Sequence, residues 1–149
     1  MGKDGVLFGT TYSGGSGPCE EGLPPTCGTV FSVTPPECPG GAWTEVVLYN
    51  FTGGSAAAFP GTSVAIGEGG VLYGTTLGGG IGHVGTLFSL TPPASPGGSW
   101  TEAVLYSFAG SSSSGSGASS VAIGEGGVLF GATEFDGTSN DGTIYKLRP

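Results

Sequence analysis

The sequence is poor in the residues that most biochemical readings need. The only basic residues are Lys3, Lys146 and Arg148, and from Asp4 to Tyr145 there is no lysine or arginine at all. Nucleic acid and anionic membrane surfaces are held by clustered cations, so a chain of net charge −8 without that footprint suits neither partner. There is one histidine, His83, so neither a His-pair metal site nor a Ser/His/Asp constellation can recur between units. Cys19, Cys27 and Cys38 contain no C-x-x-C pair, which makes zinc-knuckle and thioredoxin-like readings weak. No apolar run approaches the roughly 18 residues of a membrane span, and no window carries a helical period of useful length. Met1-Gly-Lys-Asp4 leads directly into a strand pattern rather than a signal peptide.

What is present is glycine and repetition. The chain has 33 glycines and 11 prolines in 149 residues, yet 37% of it is apolar, which places it among globular domains rather than polar disordered chains. The Gly/Ser stretch 110–120 reads as a flexible loop. Trp43-Thr-Glu-Val-Val-Leu-Tyr49 returns as Trp100-Thr-Glu-Ala-Val-Leu-Tyr106, and Val64-Ala-Ile-Gly-Glu-Gly-Gly70 returns unchanged at Val121, an offset of 57 in each case. A fixed period of this size marks a supersecondary unit that hides its apolar face by stacking on copies of itself.

Four strand-like runs recur in fixed order. Strand A is Ser63-Val-Ala-Ile66 and its copy at Ser120; strand B is Val71-Leu-Tyr-Gly-Thr-Thr76, matched from Val6 and Val128; strand C begins at Gly28, Gly85 and Gly142; strand D is the Trp-Thr-Glu run. β-Branched and aromatic residues fill the runs and Gly, Pro and Ser fill the joints, as in short antiparallel strands. The loop from Tyr12 to Cys27 is eight residues longer than its counterpart, a length that in compact domains is functional or tied down. Four short strands per unit with a recurring aromatic motif point to an all-β propeller-type repeat of about two and a half blades: B-C-D over 4–62, A-B-C-D over 63–119 and A-B-C over 120–149. Too few blades are present to close a ring, and open strand edges attract other chains, so self-association is expected.

The linked motifs Gly-Val-Leu-Tyr-Gly-Thr-Thr, Gly-Thr-Leu-Phe-Ser-Leu-Thr-Pro and Trp-Thr-Glu-Ala-Val-Leu-Tyr-Ser-Phe resemble the GloVer tandem repeat of bacterial secreted and surface-anchored proteins. The resemblance covers nearly the whole chain and implies a propeller-like, extracytoplasmic module; it brings no catalytic residues or cofactor. The Cys-bearing insertion and the absence of an anchor depart from it.

Variation between copies is concentrated in the B–C loops, which together with the D–A connections should emerge on one face. That face is the candidate binding surface, with Tyr12, His83, Glu134, Asp136, Asn140 and Asp141 as its residues. Glu134, Asp136, Asn140 and Asp141 offer oxygens to calcium, but Asp-Gly and Asn-Asp-Gly are also ordinary turn chemistry, which is the simpler reading. His83 is most simply exposed to solvent. A Cys19–Cys27 bridge would restrain the inserted loop and suit an oxidising compartment, leaving Cys38 as the odd thiol; a Cys27–Cys38 bridge and three reduced thiols are the alternatives.

Trp43 and Trp100 tempt a sugar-stacking role, but their period favours packing between units. Phe8, Tyr73 and Phe130 share one position in strand B and should be core. Glu45 and Glu102 recur with the repeat and read as solvent-facing strand residues rather than an acid/base pair. Asn50-Phe-Thr52 is a glycosylation sequon. The expectation is a non-catalytic structural or interaction element, forming homo-oligomers or joining further repeats; the alternative is a glycan- or calcium-binding domain, with a glycan-active enzyme ranked last.

Overall fold

In a computed structural model, residues 2–17, 19, 26–111 and 115–149 are described. The fold is all-β: eleven strands in three antiparallel sheets, with one-turn 3-10 segments and no α-helix among the described residues. The first sheet holds β1 (Leu7–Thr11), β2 (Thr29–Thr34) and β3 (Thr44–Asn50), in that order. The second holds β4 (Ala57–Pro60), β5 (Ala65–Ile66), β6 (Leu72–Gly79), β7 (Thr86–Thr91) and β8 (Thr101–Ser107), with β4 and β5 both pairing with β6. The third holds β9 (Ser116–Ile123), β10 (Leu129–Phe135) and β11 (Ile144–Leu147), β10 lying between the other two.

Equivalent B, C and D strands pair identically. Strand B meets strand C without slippage, so Gly9 faces Phe31, Gly74 faces Phe88 and Gly131 faces Tyr145. The glycine is there because the aromatic ring lies across it: a Cβ at Gly74 would stand 2.5 Å from Phe88 Cζ, and one at Gly9 equally close to Phe31 Cζ. Strand C then meets strand D through a bulge at one position, between Val30 and Phe31 in the first sheet and between Leu87 and Phe88 in the second.

The sheets stack in chain order and bury a core between each pair. Between the first and second lie Val30, Phe51, Leu72, Phe88 and Leu90, with Phe8, Leu48, Tyr49, Val64, Ile66 and Trp100 packed around them. Leu87, Phe108, Ala118 and Leu129 lie between the second and third, with Tyr73, Leu105, Val121, Ile123, Tyr145 and Leu147 around them. Repeat equivalents therefore fill equivalent places one interface apart: Phe51 and Phe108, Phe88 and Tyr145, Leu72 and Leu129.

The structure corrects five sequence expectations. The Gly/Ser stretch is not a loop throughout, because Ser116 to Ser120 belong to β9 and pair with β10 around a register shift at Ala132; positions 112–114 lie outside the described residues. Strand A of the preceding unit is likewise longer than its Ser-Val-Ala-Ile core but is interrupted, giving β4 and β5. Proline at position 60 removes a ladder donor, and Phe59 sits at φ 57°, so the chain leaves the sheet before returning at Ala65. Phe130 is 40% exposed instead of core, and Trp43 is 54% exposed while Trp100 is half-buried, since Phe130 and Trp43 lie on the two outermost faces. Glu102 is not solvent-facing: it is half-buried between the first two sheets, whereas Glu45 is exposed.

Candidate functional site

The B–C loops and D–A connections meet at one end of all three sheets. Asn50 Oδ1 accepts the Ser16 N–H at 2.9 Å, the Gly80 N–H reaches the Ala56 carbonyl, and the Gly137 N–H reaches the Ser111 carbonyl. Asn50 of the sequon thus holds the inserted loop. At the opposite end a Cβ on Gly5 would touch Pro35 and one on Gly70 would touch Pro92, which places the A–B turns beside the C–D loops there.

Each B–C corner is closed by one device, repeated three times. The hydroxyls of Thr11 and Thr29, of Thr76 and Thr86, and of Thr133 and Thr143 are 2.9 Å apart. The N–H of the second threonine also donates to the first hydroxyl, at 3.1, 3.0 and 2.9 Å. The glycine before each strand C, at φ 91°, 109° and 80° for Gly28, Gly85 and Gly142, lies against the strand B carbonyl of Thr11, Thr76 or Thr133, where no Cβ fits. Sequence reading passed over these threonine pairs; their signal was threonine ending strand B and opening strand C in every copy.

On this frame the candidate residues occupy three separate loops. Tyr12 is exposed, with its ring stacked 5.1 Å from that of Phe59, at one side of a shallow cleft of about 440 Å³ that includes Thr10, Pro60, Thr62, Ser63 and Leu77. His83 is exposed at the tip of the 80–85 loop with φ 54°. Asp136 accepts the Ser116 hydroxyl on its carboxylate, and its N–H donates to Asn140 Oδ1 at 3.2 Å, which ties the two sides of the turn together. Glu134, Asn140 and Asp141 are exposed. Among the described residues no group of three or more His, Cys, Asp or Glu side chains is placed to hold a metal.

Cys19 and Cys27 form a disulfide, with Cys27 fully buried in the first core and the Phe59 N–H donating to its carbonyl at 2.8 Å. Cys38 is free and exposed in the C–D loop. Positions 18 and 20–25 of the inserted loop lie outside the described residues.

A side-chain contact joins β3 of the first sheet to β8 of the second. The Tyr49 hydroxyl of β3 donates to Glu102 Oε2 of β8 at 3.4 Å, and Oε1 is buried with no hydrogen-bond partner among the described residues. Burial pushes the Glu102 carboxyl above the usual carboxylate range, opposed by the Ala57 N–H and the Tyr49 hydroxyl. Tyr49 is pushed up to about 12, by burial first and by the Glu102 charge second. Tyr145, whose hydroxyl donates to the Ser120 carbonyl at 2.7 Å, is pushed up to about 12 by burial.

These features define an all-β protein of stacked repeat sheets, whose variable loops gather at one end. The chain belongs to the Gloeobacter/Verrucomicrobia repeat family, whose model matches residues 1–149. No curated protein and no solved structure matches it.

Proposed function

We propose that this chain is a non-catalytic structural or interaction module that works outside the cytoplasm, each sheet being a propeller-type blade, and that it associates through its two outer faces. One observation carries this reading. Leu72 and Leu129 are fully buried while their equivalent Leu7 is 41% exposed, and Val30 and Leu87 are fully buried while Ile144 is 89% exposed. Leu7 and Ile144 lie on opposite outer faces, and each repeats a position that a neighbouring sheet covers elsewhere in the stack. Burying such positions is worth about 1.5–3 kcal/mol per side chain, a drive toward a second copy or a further repeat. The Cys19–Cys27 disulfide favours an oxidising compartment.

The test is mass in solution across a range of concentrations. The wild-type mass is expected to rise with concentration, and Ile144→Lys to hold the protein monomeric. A wild-type protein that stays monomeric throughout overturns the reading.

The second reading, glycan binding, is favoured by Tyr12. An exposed ring held flat by Phe59 beside the Thr62 and Ser63 hydroxyls is a stacking platform of the kind sugars use. Glycan-array binding that disappears in Tyr12→Ala would support it. The calcium version draws less support, because Asp136 and Asn140 already close their own turn.

A further inference from the structure

We propose that the outer edge of β11 is a docking site for one added polypeptide strand of the Trp-Thr-Glu-x-Val-Leu-Tyr type, running antiparallel to β11. The inference rests on the repeat-module reading above and names the partner of one particular edge. The equivalents of β11, namely β2 and β7, each carry such a strand. Val30 faces Tyr49 and Phe31 faces Val47 in one; Leu87 faces Tyr106 and Phe88 faces Val104 in the other, with the bulge at the same place. No described strand pairs with the second edge of β11.

Beside that edge lies a cleft of about 300 Å³, lined by Leu87, Tyr106, Phe108, Ile144, Tyr145 and Leu147 among others. One sheet earlier the same position, between Tyr49 and Phe51 on one side and β7 on the other, is filled by β8. There Trp100 packs on the core, Glu102 accepts the Tyr49 hydroxyl, and Phe51 meets Phe88 edge-on at 5.1 Å. In the cleft Phe108 meets Tyr145 in the same way, at 5.4 Å, while Tyr106, the equivalent of Tyr49, is 41% exposed. Lys146 does not guard the edge, because its ammonium lies over the Phe130 ring, 5.9 Å from the centroid, on the outer face. An added strand takes its affinity from main-chain pairing along β11, and its identity from the Trp, Glu and Val side chains that repeat Trp100, Glu102 and Val104.

The test titrates a synthetic peptide with the sequence of residues 100–108 onto the full chain. Saturable binding is expected, with amide exchange slowed at residues 144–147. Affinity should fall about tenfold for Tyr106→Phe in the protein, or for Glu102→Ala in the peptide, the scale of one hydrogen bond to a charged group. A peptide carrying Val104→Pro should not bind, since proline removes a ladder donor. Absence of saturable binding to the folded protein, protection falling on other strands, or undiminished binding of the proline peptide overturns the proposal. A protein that remains monomeric yet binds the peptide at β11 keeps this inference and loses association through the outer faces; one that associates but ignores the peptide does the reverse.

Discussion

At the scale of single residues, the half-buried Glu102 is the side chain whose role is least like its sequence expectation. Its carboxyl is raised in the folded state, so the folded protein holds that proton more firmly than the unfolded chain does. Its contribution to stability is therefore greatest below the ordinary carboxylate range, and declines as pH rises through the unfolded and then the folded pKa. Glu102→Gln should melt at a higher temperature than wild type at neutral pH, with the difference closing in acid; thermal midpoints at both pH values check this. The tyrosines give the alkaline counterpart. Tyr49 and Tyr145, pushed up to about 12, favour the fold while neutral, so stability holds below pH 10 and is lost as pH climbs toward 12. These two should ionise together with unfolding in a spectrophotometric titration. Glycine carries a third prediction at this scale. Gly74→Ala drives a methyl into the Phe88 ring and should lower unfolding free energy by about 1–3 kcal/mol, measured by denaturant melts.

At the scale of elements, strand order and type were legible because the repeat printed them more than once. Strands B, C and D fall on their sequence runs, and each Gly-Glu-Gly-Gly segment forms the turn between A and B, as one turn of 3-10 helix. Strand A was underestimated in both copies. Its outer half, Ala57–Pro60 in one and Ser116 to Ser119 in the other, is small and polar or proline-bearing, and a composition of that kind says loop until a partner strand supplies the ladder. The candidate loops were located correctly at one end, yet their residues serve separate turns, a distinction that spacing along the chain does not encode. The disulfide belongs to this scale as well. Cys19→Ser frees the inserted loop and should cost about 2–3 kcal/mol by loop-closure entropy, read as a shift in the denaturant midpoint under oxidising conditions.

At the scale of the whole molecule, burial follows position in the stack more closely than residue type. Phe8, Tyr73 and Phe130 hold one place in strand B, and only Phe130 lacks a covering sheet. A sequence cannot mark which copy is outermost, so it gave all three the same fate. The two ends of the stack also differ in kind. One displays the surface bearing Leu7, Trp43 and exposed Glu45; the other displays Phe130, Ile144 and Lys146. Within the chain, these are the two complementary halves of one recurring joint. Copies that meet through it must all point the same way, which yields a ring if the rotation closes and an open filament if it does not, and never a two-fold dimer. A polymer formed by the proposed association would have a plus and a minus terminus, and a chain altered at a single surface would act as a terminator for growth in one direction alone.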